Sequence, residues 1–321
     1  VAYHEDSLRF WLNRGVDGFR LDAVPHMIEN GPKDWNDQPE SRALTGELRK
    51  LITGYARHYV VCEATANPQA YAAPEVCGSA FAFGGHGSDI VEAAKGKPEA
   101  IRAVADYFKT APASMATMVS NHDIFAGQRL WDQVGGDVAQ YKLAAATYLL
   151  QPGTPFIYYG EEIGMGGVNS LPGDEPLRSP MSWSADANSG FTSGQPFRPL
   201  APNAATHNAA AEQADPHSLL AFYKNMLRLR NTLPSIAQGS YEAAQVEGQT
   251  LSYQRKFKRE HSVVLLNYGT EPAELTVPGL HAGARLKSAY PRGWKSLKAD
   301  RQGVVRVRMP AQSVRVLVVQ R

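Results

Sequence analysis

Cysteine is almost absent from this sequence of 321 residues, which contains only Cys62 and Cys77. Two thiols in a chain of this length provide neither a disulfide framework nor a tetrahedral metal site. If Cys62 lies in a strand, alternation turns its side chain away from that of the adjacent Glu63. We therefore expect Cys62 to be an inert thiol in the core.

Long hydrophobic runs and clusters of like charge are also missing. No apolar stretch reaches the roughly 20 residues that a membrane-spanning helix requires, so the sequence predicts no membrane segment. The 33 basic and 31 acidic residues leave a net charge of +2 and are spread without polybasic runs. This pattern does not favour nucleic acid or a membrane surface as a partner, whereas a neutral substrate suits it.

What the sequence does contain is a regular alternation of helix-like and strand-like segments. This alternation is typical of an α/β fold in which crossover helices connect parallel strands. A weaker strand pattern falls at residues 78–84, and Asp137 is predicted to cap the helix that follows it. Strands are predicted within residues 16–24, 59–64, 116–123 and 154–160, and helices within residues 41–59, 99–110 and 137–150.

The pattern changes towards the end of the chain. Residues 161–214 are rich in Gly, Pro, Asn and Ser and are predicted to form a long structured loop, a kind of segment that is often functional. A helix capped by Asp215 is expected next. From about residue 237, short alternating strands are separated by turn residues. The sequence thus predicts one domain over residues 1–236 and a small all-β domain over residues 237–321.

Three of the predicted strands end on a carboxylate: Asp22 in GFRLDAV, Glu63 in VVCEA and Asp123 in VSNHD. Side chains at the carboxyl ends of parallel strands point into a shared site, so acids from separate strands can converge. Glycoside hydrolysis needs two of them, one to attack the anomeric carbon and one to protonate the leaving oxygen. Each acid alone would more simply cap a helix or face solvent, so the prediction depends on their combination.

In order, the segments GFRLDAVPHM, VVCEAT and VSNHD resemble the second, third and fourth signature regions of the α-amylase superfamily. The resemblance implies that Asp22 is the nucleophile and that Glu63 is the general acid/base. It implies that Asp123 binds sugar hydroxyls and stabilises the transition state. The loop segments LRSPMSW and SGFTSGQPF look similar to the loop after the last barrel strand in α-glucosidases and amylases, where aromatic residues either line the sugar site or simply pack.

Four further residues are candidates for substrate binding. Arg20 shares a strand face with Asp22, and its guanidinium would keep that carboxylate ionised. The resemblance implies that His122 donates to a sugar hydroxyl or to the attacking oxyanion. His26 stands where many amylases have a Lys-His pair that contacts substrate and, through a backbone carbonyl, calcium, although this sequence has Pro25 in place of the Lys. Arg129 either bonds sugar hydroxyls or pairs with a neighbouring acid.

The fold that the resemblance implies is a (β/α)8 TIM barrel, partial in this chain, followed by a small antiparallel β-sandwich domain. The predicted strands correspond to the fourth to eighth of such a barrel. A parallel barrel cannot close with these strands alone, because the open edge would leave backbone groups unpaired. We therefore expect the full enzyme to contain further sequence upstream.

The activity implied is that of a retaining α-amylase that cleaves α-1,4-glucosidic bonds in starch-like glucans or maltooligosaccharides. An exo-acting α-glucosidase or a transglycosylase is the alternative, and a non-catalytic partner subunit is a third interpretation, although such proteins tend to lose the carboxylates retained here. Calcium is a hypothesis only, since its other ligands in relatives lie upstream. Because glucans are usually degraded outside the cytoplasm, the predicted location is secreted or periplasmic.

Overall fold

A computed structural model describes residues 2–320 of the chain. The chain forms two compact units. The first runs from its start to His86 and includes Thr110–Thr117, and the second comprises Gly87–Lys109 and the chain from Met118 onward. The predicted boundary at residue 236 separates the terminal all-β domain from the rest of the chain and does not coincide with this division, so it stays a prediction.

The first unit is built on parallel strands. Strands β1 and β2 pair in parallel with Arg20 opposite Val61, and single bridges add the segment around Ala80 and then β3. This arrangement confirms the predicted alternation of helices with parallel strands. The elements of this unit are α1 (Ala2–Leu12), β1 (Gly18–Leu21), α2 (Pro39–Thr53), β2 (Tyr59–Cys62), α3 (Pro68–Tyr71) and β3 (Ala116–Thr117).

A disulfide joins Cys62 to Cys77 in the first unit, so the expectation of an inert thiol at Cys62 is wrong. Cys62 ends β2 and bridges Ala80, and its N–H donates to the carbonyl of Ser79. The segment just before Ala80 therefore runs beside the end of β2, which brings Cys77 within reach. Sequence spacing alone does not show this contact, because it depends on the pairing of the two segments.

The second unit begins with helices. Helix α7 is buried over most of its length and begins after Asp137, whose carboxylate accepts from the N–H groups of Ala139 and Gln140, as predicted. The helices and first strand of this unit are α4 (His86–Ala94), α5 (Pro98–Thr110), α6 (Leu130–Gln133), α7 (Val138–Leu150), β4 (Thr154–Pro155), α8 (Ala209–Ala214), α9 (Leu219–Thr232) and α10 (Pro234–Gln238).

The prediction that Asp215 caps helix α9 is wrong. The cap is Ser218, whose hydroxyl oxygen accepts from the N–H of Ala221, whereas the carboxylate of Asp215 accepts from the N–H of His217. Both residue types are good helix caps. Here Asp215 instead ends helix α8 and shapes the turn that leads to α9.

The chain ends in two antiparallel layers. A six-stranded sheet has the order β10-β9-β12-β7-β6-β5, and strands β8 and β11 form a separate pair. Side chains such as Val263 and Leu317 of the sheet pack against Leu275 and Val307 of the pair, so the predicted antiparallel sheet is confirmed. Its strands are β5 (Glu242–Glu247), β6 (Thr250–Phe257), β7 (Glu260–Asn267), β8 (Ala273–Val277), β9 (Arg285–Tyr290), β10 (Leu297–Lys298), β11 (Val305–Met309) and β12 (Ser313–Gln320).

Two buried guanidinium groups connect this sheet and helix α9 to the end of α7. Arg255 of β6 donates to the carbonyl of Leu150 at 3.0 Å, and Arg230 of α9 donates to those of Leu149 at 3.1 Å and Gln151 at 2.9 Å. These bonds satisfy carbonyl groups that a helix end otherwise leaves without partners. One hydrophobic core contains side chains from α7, α9 and the six-stranded sheet.

Across residues 2–320, no helix has both the length and the apolar character needed to cross a membrane.

Candidate active site

At the end of strand β1, the guanidinium of Arg20 contacts two carboxylates. Arg20 Nη1 lies 2.5 Å from Asp22 Oδ1, and Arg20 Nη2 lies 3.1 Å from Glu63 Oε2. Register explains this arrangement, because Arg20 is opposite Val61, and Asp22 and Glu63 directly follow the paired residues Leu21 and Cys62. The expected placement of Arg20 on the same face as Asp22 is confirmed.

The two carboxylates differ in their surroundings. The side chain of Asp22 is 74% exposed, whereas that of Glu63 is 9% exposed. Glu63 Oε2 also accepts from the backbone N–H of Ala23 at 2.8 Å. Ala23 has a φ of 44°, an unfavourable left-handed conformation for a residue with a Cβ. The turn after β1 thus directs the N–H of Ala23 at Glu63 and leaves the side chain of Asp22 exposed to solvent.

A second cluster surrounds Asp123 in the second unit. Asp123 Oδ1 accepts from Arg178 Nη2 at 2.9 Å, and Asp123 Oδ2 lies 3.2 Å from His122 Nε2. The backbone N–H of Asp123 donates to the side-chain oxygen of Asn121 at 2.8 Å. The carboxylate of Asp123 is thus held from two sides by a cation and an imidazole.

Arg178 is a site residue that the sequence did not single out. Its Nε donates to the carbonyl of His122 at 2.8 Å, and its Nη2 reaches both Asp123 and, at 3.0 Å, Asp174. Asp174 in turn accepts from the N–H of Ile124 at 2.8 Å. One guanidinium therefore fixes the backbone and the side chain at the Asp123 turn. The only signal was its presence in the LRSPMSW segment.

His26 and Arg129 lie in different surroundings from the charged clusters. The ring of His26 stacks on that of Trp35, with centroids 5.2 Å apart. Arg129 is fully buried, donates to the carbonyls of Tyr159 at 2.8 Å and Leu177 at 2.7 Å, and lies over the ring of Tyr159. Arg129 therefore joins the two segments that carry Tyr159 and Arg178, and its binding of sugar stays a prediction.

A buried carboxylate, Glu161, lies behind the Asp123 turn. Its Oε1 accepts from the hydroxyls of Tyr148 at 2.6 Å and Tyr223 at 2.7 Å, and its Oε2 accepts from the hydroxyl of Ser120 at 3.3 Å. Desolvation raises the pKa of Glu161 to about 7, although the three hydroxyl donors act in the opposite direction. This group links the segment that leads to Asp123 with helices α7 and α9.

No cluster of three or more His, Cys, Asp or Glu side chains in the described part of the chain could hold a metal ion. Calcium stays a hypothesis, and none of the chemistry proposed below passes through it.

The comparison with known families identifies the protein class. The sequence model of the family described as "Alpha amylase, catalytic domain" matches residues 1–239. Because this match covers most of the chain, the protein belongs to the α-amylase family. The expected membership of the α-amylase superfamily is thereby confirmed, and the family's members of similar structure are TIM-barrel enzymes.

Individual relatives have several different activities in their names. The chain is 29% identical over 302 residues to trehalose synthase/amylase TreS of Mycolicibacterium smegmatis, covering 79% of this chain and 51% of that protein. It is 27% identical over 324 residues to a probable alpha-glucosidase of Rhizobium meliloti, covering 84% and 58%. The solved alpha-amylase from H. orenii superposes with a TM-score of 0.78 at 25% identity, covering 98% of this chain and 63% of that one. The chain thus spans little more than half the length of these curated relatives.

Proposed function

We propose that this chain supplies catalytic carboxylates to a retaining enzyme that acts on α-1,4-glucosidic bonds in starch-like glucans or maltooligosaccharides. Asp22 attacks the anomeric carbon and forms a covalent glucosyl intermediate. Glu63 protonates the leaving oxygen and then accepts a proton from the water that hydrolyses the intermediate. Asp123 binds sugar hydroxyls and stabilises the positive charge that develops on the sugar ring.

The observation that carries this proposal is the Arg20 guanidinium shared by Asp22 and Glu63. A retaining mechanism requires two carboxylates close enough for one to attack carbon while the other serves the leaving oxygen. A common cation holds both groups near each other and fixes their orientation. The exposure of Asp22 suits a group that must reach a substrate carbon, and the shielding of Glu63 suits a proton donor.

The arrangement of strands supports a proposal about the barrel. We propose that β1, β2 and β3 are the fourth, fifth and seventh strands of a TIM barrel and that the segment around Phe81 takes the sixth place. In the described residues, β1 pairs on one side only, with β2. A cavity of about 740 Å³ beside it is lined by Trp11, Phe19 and Leu48 as well as by Arg20 and Asp22. Apolar side chains around so open a cavity suit packing against further barrel strands.

Endo-acting hydrolysis, as in an α-amylase, is our first candidate, and exo-acting hydrolysis or glucosyl transfer is the second. The second is favoured by the names of two relatives, a trehalose synthase/amylase and a probable alpha-glucosidase. We also propose a secreted or periplasmic location. The disulfide between Cys62 and Cys77 supports it, since such bonds persist mainly in oxidising compartments.

The test is the time course of sugars released from soluble starch and from maltose by the complete protein. We expect Asp22→Asn and Glu63→Gln to abolish release, while the exposed Asp17→Asn serves as the matched control. Mixed maltooligosaccharides from starch would identify an amylase, and glucose or a transfer product from maltose would identify the second candidate. Unchanged release by Asp22→Asn would refute the assignment, and no release by the intact enzyme would favour a non-catalytic partner subunit.

A further inference from the structure

We propose that a cavity between helix α9 and the terminal sheet binds a small molecule that carries a phosphate monoester group. We call it the basic cavity and define it by the three cationic side chains that line it, Arg228, Lys287 and Arg292. All three lie in the second unit of the chain. None of them belongs to the proposed catalytic apparatus, so the site does not depend on the proposed function.

Although the sequence has no polybasic run, positive charge is concentrated at its end. Residues 281–321 contain ten of the 33 basic residues and only one of the 31 acidic residues, Asp300. The rest of the chain therefore has an excess of acidic residues, and the near-neutral total conceals an uneven distribution. A region in which one sign of charge dominates attracts small ions of the opposite sign from beyond contact distance.

The pairing of β9 with β12 explains why cationic side chains gather on one face of the sheet. Lys287 lies opposite Val318, and Arg285 lies opposite Gln320. Because side chains alternate along a strand, Lys287 and Arg285 share one face, whereas Leu286 points to the other and packs in the core between the two layers. Val318 and Gln320 also line the basic cavity, so this face of the sheet forms its wall.

The cations of the basic cavity have no carboxylate partner among residues 2–320. No ion pair formed by these residues includes Arg228, Lys287 or Arg292. The described residues that line the cavity include no Asp or Glu. The helix dipole favours a cation such as Arg228 near the end of α9, but it does not account for Lys287 and Arg292, which come from β9 and the segment after it. Like charges around one cavity repel each other, so a bound anion would stabilise the arrangement.

The segment that presents Arg292 is held in place on both sides. The hydroxyl of Ser288 donates to the carbonyl of Pro291 at 2.8 Å. The guanidinium carbon of the buried Arg315 lies 4.4 Å from the centroid of the Trp294 ring. The backbone that carries Arg292 is therefore ordered before any ligand binds, which reduces the entropy lost on binding.

The size and lining of the basic cavity indicate the class of ligand. Its volume of about 620 Å³ is typical of a site for a small organic molecule. A phosphate monoester carries about 1.5 to 2 negative charges at pH 7 and three strong acceptor oxygens, which the forked donors of arginine match. Leu229, Leu233 and Ala289 supply an apolar wall for the organic part. A concave site of this size suits a compact ligand better than an extended polyanion.

Titration calorimetry of the complete protein with glycerol 3-phosphate, at low ionic strength, tests the proposal without any turnover. This probe has the phosphate monoester but no glucosyl unit that could enter the catalytic site. We expect wild type to bind it saturably at one site, and Lys287→Gln and Arg292→Gln each to weaken binding about tenfold, as for one lost charge-assisted hydrogen bond. Inorganic phosphate should compete for the same site. Lys224→Gln is the matched control, because it removes the same charge from an exposed position of α9 that does not line the cavity.

Several results would overturn the proposal. If wild type does not bind glycerol 3-phosphate, no such site exists, and if Lys287→Gln and Arg292→Gln bind it as tightly as wild type, the ester occupies another site. An equal loss in Lys224→Gln would show that only the net charge of the protein matters. Binding of a short DNA duplex that both cavity variants weaken, without binding of the small ester, would identify an extended polyanion as the ligand instead. Lys287 and Arg292 are exposed, so both variants should fold, and urea midpoints equal to that of wild type check this.

Discussion

Replacing Glu161 by Gln should change how stability depends on pH. The carboxyl of Glu161 is fully buried, and its pKa is raised from 4.5 to about 7, mainly by desolvation. Gln keeps the shape and can still accept from Tyr148 and Tyr223 while its amide donates to Ser120. The substitution therefore removes the titration and leaves the hydrogen-bonding arrangement nearly intact.

The sign follows from proton linkage. Because the pKa of Glu161 is higher in the folded than in the unfolded chain, the folded state binds more protons between about pH 4.5 and 7, and wild-type stability falls as pH rises through that range. With these two pKa values, the Glu161 contribution to the free energy of unfolding falls by about 2 to 3 kcal/mol between pH 5 and pH 8. Glu161→Gln lacks this contribution, so its stability relative to wild type should increase by that amount over the same interval.

Urea unfolding of wild type and Glu161→Gln at pH 5 and pH 8 measures this difference directly. Other titrating groups are common to both proteins and cancel in the comparison. A difference that stays constant from pH 5 to pH 8 would show that Glu161 is already ionised in the folded state at pH 5. In that case the three hydroxyl donors would outweigh desolvation, and the reasoning would be refuted.

Substitutions at three other sites have expected outcomes. Arg20→Leu should lower kcat/KM about 100-fold or more, because it removes two charge-assisted hydrogen bonds that hold Asp22 and Glu63; Arg20→Lys, if equal to wild type in the same assay, would contradict a role for the forked guanidinium. Replacing Cys62 and Cys77 together by Ser should lower the free energy of unfolding by about 3 kcal/mol, the loop-closure value for a separation of 15 residues. If this variant has the same urea midpoint as oxidised wild type, both with and without reductant, the disulfide contributes no stability and the prediction is wrong. Asp137→Ala should destabilise the chain by about 1 kcal/mol through loss of the α7 cap, whereas Asp137→Asn should have little effect on the urea midpoint.

Short-range relations in the sequence were the ones that could be predicted. Arg20 and Asp22 are two residues apart on a strand, and the period of two places them on one face whatever the rest of the chain does. Asp137 caps α7 through bonds to residues two and three positions on. The strands of the final domain were readable because each has its own alternation between turn residues.

Contacts and strand lengths that depend on segments far apart in the sequence could not be predicted. Arg178 reaches Asp123 across 55 positions, and nothing in either segment specifies the other. The strand predicted over residues 116–123 is reduced to Ala116–Thr117, since the chain beyond it bonds locally, with Asn121 accepting from the N–H of Asp123. The strand expected over residues 154–160 shortens in the same way to Thr154–Pro155. A pattern of residues indicates strand propensity, but a strand forms only where a neighbouring backbone segment pairs with it.

Arg255 has a consequence for engineering this protein. It is an interior cation of the terminal sheet, and one of its hydrogen bonds ends on the carbonyl of Leu150 in α7, which lies far upstream in the sequence. Cutting the gene before strand β5 would therefore leave that carbonyl buried without its donor and expose the core that the two parts share. The terminal sheet is thus not an exchangeable module, and grafting it from a relative would require transplanting its arginine together with the helix end that receives it.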